Sequence, residues 1–260
     1  MAAADHSGVL RLAAVGDIHC ARMSRGKLRP LFSAMNHDAD VILLCGDLTD
    51  YGLPEEAQIL VGELTPVVQK PIVAVLGNHD YESGKQAEVR TILTDARMTV
   101  LDGDACEVGG VGFAGCKGFA GGFANHALEP WGEPAIKQFV KEAMDEALKL
   151  ESALARLSTP TRVALLHYAP VRGTVDGEPE EVVPFLGSRR LEEPLNRFPV
   201  QAIFHGHAHF GKPEAKTDSG IPVYNVALPL LARLNPDQPP FRTVEILLHP
   251  PPTSAPATLR

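Results

Sequence analysis

Short apolar runs alternate with amphipathic segments through the first third of the chain. Residues 9–15, 41–45 and 72–76 form runs too short for ordinary helices, and a glycine follows each of them. This pattern predicts three buried strands. The intervening residues 26–38 and 54–70 carry apolar side chains at helical spacing. Strands and helices that alternate in this order predict a parallel sheet.

The rest of the chain predicts further helices, strands and loops. Helices are expected at residues 84–96 and 133–157, and the second is rich in Ala, Glu, Lys and Leu. Acidic residues and glycines break the apolar runs of residues 99–115, which favours a hairpin or meander. A long loop is predicted at residues 168–184. Later strands are predicted at residues 162–166, 199–204, 221–226 and 243–248.

No internal repeat or linker divides the chain. We expect one domain over residues 9–249, a flexible N-terminus at residues 1–8 and a proline-containing tail at residues 250–260. A glycine- and phenylalanine-rich stretch spans residues 115–125. It is either a loop beside a functional site or a plain connection, and the sequence favours neither.

Composition and charge narrow the class of protein. The chain has 260 residues, 45% hydrophobic content and a formal charge of −8, as a soluble globular protein would. The acidic balance argues against an extended nucleic-acid interface, which would present a basic face. A small anionic substrate stays compatible, because bound cations would reverse the local field. With no secretory signal and no apolar stretch near ~20 residues, we expect a cytoplasmic protein without a membrane partner.

The cysteines do not indicate a metal or redox motif. They are well separated and form no Cys-x-x-Cys pair, so reduced thiols are favoured over disulfides. Cys45 ends a predicted strand and is expected to pack as a small apolar residue. The four cysteines are Cys20, Cys45, Cys106 and Cys116.

Five short polar patches follow apolar runs and carry the candidate chemistry. They combine carboxylates, an amide and imidazoles, the ligands that divalent first-row metals use. Because sites in α/β sheets form outside the carboxyl ends of strands, these patches are expected to converge. Their ligand count suits two metal ions, and two neighbouring ions suit phosphate-ester hydrolysis. The patches are Asp17-Ile18-His19, Gly46-Asp47, Gly77-Asn78-His79-Asp80, His167 and Gly206-His207-Ala208-His209.

Each patch alone also has an ordinary structural interpretation. Asp-x-His is common by chance as a surface pair or a helix cap, and a lone histidine such as His167 is more often structural. Gly-Asn-His-Asp and His-Gly-His-Ala-His are much rarer strings. The complete set in this order therefore indicates a metal centre.

In this order the patches resemble the calcineurin-like metallophosphoesterase superfamily. Its pattern is Asp-x-His, Gly-Asp, Gly-Asn-His-Asp/Glu, His and Gly-His-x-His, and every element is matched between Asp17 and His209. The resemblance implies an α/β fold, a two-sheet β-sandwich flanked by α-helices, with a dinuclear metal centre. It implies that one ion is bound by Asp17, His19, Asp47 and His209. The other ion would be bound by Asp47, Asn78, His167 and His207.

The resemblance also assigns roles to the two remaining residues of the third patch. His79 would face the substrate instead of a metal, and Asp80 would orient it. His79 would then stabilise developing charge or protonate the leaving alkoxide, although a purely structural supporting role is the alternative. A water that bridges the two ions would lose a proton and attack phosphorus as a hydroxide. Mn, Fe, Zn and Co all suit these ligands, and the sequence does not choose among them.

The substrate is less defined than the phosphate chemistry. Protein serine/threonine phosphatases of this superfamily carry Gly-Asp-x-x-Asp-Arg-Gly, whereas Tyr51 takes the arginine position here. The chain looks more like bacterial class III cyclic-nucleotide phosphodiesterases or small-molecule phosphoesterases near them. We therefore expect a phosphodiester or phosphomonoester of a small, nucleotide-like substrate. A phosphatase, a nuclease and a non-catalytic metal-binding scaffold are the alternatives, and no oligomeric state is predicted.

His205 stands directly before the last patch. It is expected to be either a core histidine or a residue that supports the metal ligands.

Overall fold

A computed structural model describes residues 8–123 and 127–248. The predicted flexible N-terminus and proline-containing tail therefore lie almost wholly outside the described residues, as does the end of the stretch 115–125. Within the described residues the chain forms two β-sheets flanked by helices. This arrangement confirms the α/β fold with two packed sheets that the sequence motifs implied.

The first sheet contains the three strands predicted from the apolar runs near the N-terminus. Its strands are β1 (Val9–Val15), β2 (Val41–Cys45), β3 (Ile72–Val75), β4 (Met98–Leu101) and β11 (Arg242–Leu247). Their order is β11–β1–β2–β3–β4, with β1 to β4 parallel and β11 antiparallel to β1.

The second sheet is formed by the middle and later parts of the chain. Its strands are β5 (Asp104–Val108), β6 (Val111–Gly115), β7 (Thr161–Leu165), β8 (Val200–His205), β9 (Glu214–Lys216) and β10 (Pro222–Asn225). Their order is β5–β6–β7–β8–β10–β9, with four parallel strands in the centre and an antiparallel strand at each edge.

Three apolar layers hold the sheets and helices together. Side chains alternate along each strand, so Leu12 and Ala14 face the second sheet while Ala13 and Val15 face the first group of helices. Burial on both faces explains why the strands read as continuous apolar runs. Helices α1 (Arg29–Asp38), α2 (Pro54–Leu64) and α3 (Gln86–Asp95) cover the first sheet, and α4 (Pro134–Arg156) and α5 (Arg189–Arg197) cover the second.

Several predicted boundaries differ from the structure. Helix α2 ends at Leu64 instead of residue 70, because Pro66 has no backbone N–H and cannot continue the helical hydrogen bonds. Residues 99–115 do not form one meander: β4 joins the first sheet in parallel, and only β5 and β6 form a hairpin in the second.

Three short elements were not predicted. Helix α5 buries only Leu191, Pro194 and Leu195, so its apolar signal is sparse and is interrupted by a proline. The other two are helix α6 (Leu228–Leu234) and strand β9. Among the described residues, no helix combines the length and the apolar character needed to cross a membrane.

Candidate metal centre

Every predicted site residue lies just beyond the carboxyl end of a parallel strand. In the first sheet, Asp17 and His19 follow β1, Asp47 follows β2, and Asn78 follows β3. In the second sheet, His167 follows β7, and His207 and His209 follow β8. The parallel strands of each sheet end at one edge, and the two edges meet where the backbone N–H of His207 donates to Asp17, 2.9 Å away.

Asp17, His19 and His209 form the first group of candidate ligands. Their donor atoms lie close enough together to hold one ion, and Nε2 of His209 is 2.9 Å from Oδ1 of Asp17. Nε2 of His19 lies 3.8 Å from Oδ2 of Asp47. The group therefore extends to the carboxylate that was predicted to bridge two ions.

Asp47, His167 and His207 form the second group. Nε2 of His167 lies 3.3 Å from Oδ1 of Asp47 and 2.9 Å from Oδ1 of Asn78. Nδ1 of His167 lies 3.1 Å from the carbonyl oxygen of Cys45, an acceptor that fixes the proton on Nδ1. The other nitrogen is thus turned toward both oxygens, as a metal-binding imidazole requires.

The backbone is held in an unfavourable conformation at four of these positions. Asp17, His19, Asp47 and His207 have φ values of 55°, 46°, 47° and 70°, in the left-handed region that few L-residues adopt. Each such residue costs about 1–3 kcal/mol and persists only where the surrounding structure enforces it. Arg97 is the fifth described non-glycine residue with positive φ. Strain is therefore concentrated in the loops that carry the candidate ligands.

Two glycines of the motifs are required by close approach. A Cβ atom at residue 77 would lie 2.2 Å from Oδ1 of Asp47, and one at residue 206 would lie 2.3 Å from Oδ2 of Asp17. No side chain can occupy these positions without displacing a carboxylate. Gly77 and Gly206 thus leave room for the acidic groups of the two ligand sets.

His19 provides a direct test of whether the residues fit a cation. Both of its ring nitrogens are buried and neither makes a hydrogen bond within the described residues. Nδ1 lies 3.3 Å from Oδ1 of Asp50, but the geometry does not make this contact a hydrogen bond. Burial lowers the pKa of His19, which keeps the imidazole neutral and able to bind a metal. Buried polar atoms of this kind are rare, and a cation would satisfy them.

The imidazole of His167 balances the negative charge of Asp47. Burial alone would raise the pKa of Asp47, but the charge of His167 and its hydrogen bond hold it below its usual value. Burial alone would lower the pKa of His167, yet Asp47 raises it to about 9. Burial and the neighbouring His167 lower the pKa of His207 to about 3. A cation would take over the balancing charge that the protonated imidazole supplies.

His79 and Asp80 do not interact as the sequence motif implied. Nδ1 of His79 lies 2.7 Å from the carbonyl oxygen of Asp50, which orients the ring. The carboxylate of Asp80 is fully buried and accepts hydrogen bonds from the backbone N–H groups of Leu48, Thr49 and Gly77. Asp80 therefore orients the two ligand-bearing loops, whereas a backbone carbonyl orients His79. Burial and the charge of Asp47 raise the pKa of Asp80 to about 6.

Sequence reasoning missed several groups that complete the centre. The carboxylate of Asp50 faces His19 and its carbonyl holds His79, although the residue was noted only as a neighbour. The hydroxyl of Thr49 donates to Asp80 at 2.5 Å. The carbonyl oxygen of Phe185 accepts from Nε2 of His207 at 3.3 Å. Backbone carbonyls leave no trace in a motif, and Phe185 comes from a distant loop.

His205 and Cys45 both have structural roles, which for His205 is one of the two alternatives that the sequence left open. His205 is fully buried, and its nitrogens lie 2.7 Å from the carbonyl of Gly206 and 2.8 Å from Oγ1 of Thr174. With both nitrogens satisfied, it is a core histidine. Cys45 is buried in the layer between the sheets. All four cysteines are free thiols.

The fold and this centre define the family. A family model for the calcineurin-like phosphoesterases matches residues 10–211, and the chain belongs to that family of metal-dependent phosphoesterases. The match begins in β1 and ends just after the last candidate ligand. It therefore includes all the polar patches.

Two solved structures illustrate the similarity of fold. Phosphopantetheinyl hydrolase (PptH) from Mycobacterium tuberculosis matches with a TM-score of 0.62 and 14% identity over 94% of this chain and 98% of that one. The protein TT1561 of Thermus thermophilus matches with a TM-score of 0.53 and 15% identity over 91% of this chain and 99% of that one. At these identities the likeness concerns the fold. A comparison with curated protein sequences gave no match.

Proposed function

We propose that this protein hydrolyses a phosphodiester of a small, nucleotide-like substrate at a centre of two divalent metal ions. Asp17, His19, Asp47 and His209 would hold one ion. Asp47, Asn78, His167 and His207 would hold the other, with Asp47 shared. Membership of the family indicates a metal-dependent phosphoesterase. The proposal adds the type of ester that is hydrolysed and the residues that bind the ions.

The juxtaposition of two ligand groups on either side of Asp47 is the observation that carries the proposal. His19 approaches one oxygen of this carboxylate at 3.8 Å, and His167 approaches the other at 3.3 Å. Asp47 is almost completely buried, and the backbone N–H of His79 fixes Oδ1 at 2.8 Å. A carboxylate held in this way can serve two cations at once. When bound, two such cations polarise phosphate oxygens and lower the pKa of a coordinated water.

His79 is suited to give a proton to the departing alkoxide. Its Nδ1 is bound to the carbonyl oxygen of Asp50, so Nε2 is the nitrogen left to act on a substrate. The side chain is 36% exposed, whereas the candidate ligand His167 has no exposed surface. Its ring centre lies 4.5 Å from that of His19, which keeps it beside the proposed ions. His79 would therefore act as the general acid without binding metal.

A phosphodiester is preferred because the arginine typical of the protein phosphatases is absent. Tyr51 stands in its place, and this residue is 56% exposed. A phosphomonoester carries one more negative charge than a diester and gains more from such an arginine. Mn, Fe, Zn and Co suit the ligand set equally. The cytoplasmic location expected from the sequence stays a prediction.

Hydrolysis by the manganese-loaded protein tests the reaction type. Bis-p-nitrophenyl phosphate, cyclic AMP and p-nitrophenyl phosphate are compared under identical conditions, with Asp47→Asn as the inactive control. We expect turnover of at least one diester, and no turnover by the control. Activity on the monoester alone would replace the proposal with a phosphatase. Faster cleavage of a DNA oligonucleotide than of small diesters would replace it with a nuclease.

Metal analysis separates an enzyme from a non-catalytic scaffold. After reconstitution and removal of excess ion, we expect two metal ions per chain in the wild type. Fewer than about one tightly bound ion per chain, together with no turnover of any ester, would favour the scaffold.

A further inference from the structure

Lys117 lies in the row of strand ends that supplies the candidate ligands. Strand β6 pairs with β7, and β7 pairs with β8, all in parallel. Lys117 follows β6 just as His167 follows β7 and His207 follows β8. Its carbonyl oxygen accepts the backbone N–H groups of His167 and Tyr168 at 3.0 and 3.1 Å. The lysine is therefore fixed directly beside the centre, although no motif includes it.

The ammonium of Lys117 sits in a cage of three aromatic rings. Nζ lies 4.8 Å from the ring centre of Phe119, 5.3 Å from that of Tyr168 and 5.5 Å from that of Tyr81. Tyr81 and Tyr168 come from the two loops that carry Asn78 and His167. The ammonium consequently lies between a loop of the first sheet and a loop of the second, and both loops carry proposed ligands of the same ion. We call these three rings the aromatic cage.

The ammonium is buried, and the charges of Glu146 and Glu142 act on it without forming an ion pair. Lys117 is only 7% exposed, and Nζ donates one hydrogen bond, to the carbonyl oxygen of Gly118 at 2.8 Å. Among residues 8–123 and 127–248 no carboxylate forms an ion pair with it. Glu146, the buried acid nearby, is already bound by Lys149 and by the N–H of Gly118. Cation–π contacts offset part of the cost of burial, and two N–H donors stay available for an anion.

The position of the cage relative to the centre limits what Lys117 can bind. The ring of Tyr168 lies close to both groups, with its centre 5.3 Å from Nζ of Lys117 and 4.4 Å from the ring centre of His207. The ammonium therefore lies no more than about 10 Å from the His207 ring centre, a span that a single substrate with two anionic groups can cover. Lys117 is placed to reach a second group of the substrate.

The geometry points to Lys117 as the binding residue for a second anionic group of the substrate, located on the side of the aromatic cage. This inference rests on the proposed phosphodiesterase function, which supplies the first phosphate. It narrows the substrate class to phosphate esters that carry an additional phosphate or carboxylate. A charge-assisted hydrogen bond in a buried site gives such substrates an advantage over singly charged diesters.

Calorimetric binding to the manganese-loaded full chain tests the inference without requiring turnover. The probes are thymidine 3′,5′-bisphosphate and the two thymidine monophosphates. We expect the wild type to bind the bisphosphate about 10-fold or more tightly than either monophosphate, as hydrogen bonds to charged groups allow. Lys117→Gln keeps a donor for Gly118 and removes the charge, so it should abolish this preference. Lys117→Arg should restore part of it.

The controls distinguish binding from structural damage. Lys27 is exposed just before α1, which packs on the outer face of the first sheet, so Lys27→Gln removes one positive charge outside the cage and the preference should be unchanged. Equal affinities of the wild type for all three probes would overturn the inference, even if no Lys117 variant folds. An equal loss of affinity for all three probes in Lys117→Gln would also overturn it, because the lysine would then only support the fold. If the wild type prefers the bisphosphate but hydrolyses no diester, the proposed function would be refuted and the inference about Lys117 would stand.

Discussion

His79 and Asp80 are adjacent in the chain but act on different parts of the site. The ring of His79 is turned to the accessible side and held by a backbone carbonyl, whereas the carboxylate of Asp80 is fully buried under the loops. In the proposed mechanism, the motif that contains both residues therefore combines a group for chemistry, His79, with a group for structure, Asp80. Single substitutions at the two positions should have different consequences.

Replacement of His79 should separate catalysis from metal binding. His79→Ala is expected to lower kcat by about 10²-fold or more, as for a lost general acid, with two ions still bound. The measurements are hydrolysis of bis-p-nitrophenyl phosphate and metal content. His37, whose side chain is 88% exposed, provides the control His37→Ala, with unchanged activity. Loss of an ion in His79→Ala would contradict the assigned role.

Replacement of Gly77 should damage the centre by crowding. In Gly77→Ala the new Cβ would overlap the carboxylate of Asp47, so we expect weaker metal binding and a loss of about 1–3 kcal/mol in stability. The matched control is Gly62→Ala in helix α2, where the added Cβ contacts nothing within 4 Å. This control should gain about 0.5–1 kcal/mol, because alanine favours the helix. Denaturant unfolding and metal titration measure both effects, and equal behaviour of the two variants would refute the argument.

At the scale of elements, the loops after β2 and β3 are joined through one carboxylate. Asp80 receives hydrogen bonds from Leu48 and Thr49 in the first loop and from Gly77 in the second. These loops carry Asp47 and Asn78, two of the candidate ligands. The parallel order of β1, β2 and β3 brings the loops together, and Asp80 sets their relative position.

Asp80→Asn should weaken this connection between the two loops while it preserves the shape of the side chain. The amide replaces one acceptor oxygen with donors that face backbone N–H groups, so we expect a loss of about 1–3 kcal/mol in unfolding free energy. Unfolding is measured in the presence of a chelator, so that metal binding does not contribute. Asp95→Asn, at the exposed end of α3, is the matched control and should change stability little. An Asp80→Asn variant as stable as this control would show that the connection is unimportant.

At the scale of the whole molecule, the candidate metal ligands come from both sheets. Asp17 and Asp47 follow strands of the first sheet, whereas His167, His207 and His209 follow strands of the second. Ions bound to both sets link the sheets only in the folded chain. Metal binding is therefore expected to contribute directly to folding stability.

Addition of Mn²⁺ should raise the thermal midpoint of the wild-type protein. A ligand at 100 times its Kd stabilises the folded state by about 2.7 kcal/mol for each site. Asp47→Asn, which removes charge from both sets, should lose most of this shift, and His79→Ala should keep it. Thermal unfolding monitored by circular dichroism, with and without a chelator, measures the effect. An equal shift in all three proteins would mean that the ions bind elsewhere.

The sequence by itself determined the strands β1, β2 and β3 of the first sheet, the family and the residue types of the candidate centre. Buried parallel strands must be apolar on both faces, and their ligand loops follow at once, so both signals are local. Only the tertiary structure decided how β4 and the hairpin β5–β6 divide between the sheets. It alone assigned Asp80 to the loops and Asp50 to His79, and it brought Lys117 beside the centre. These relations depend on backbone carbonyls and on segments far apart in the chain, and local patterns do not record such contacts.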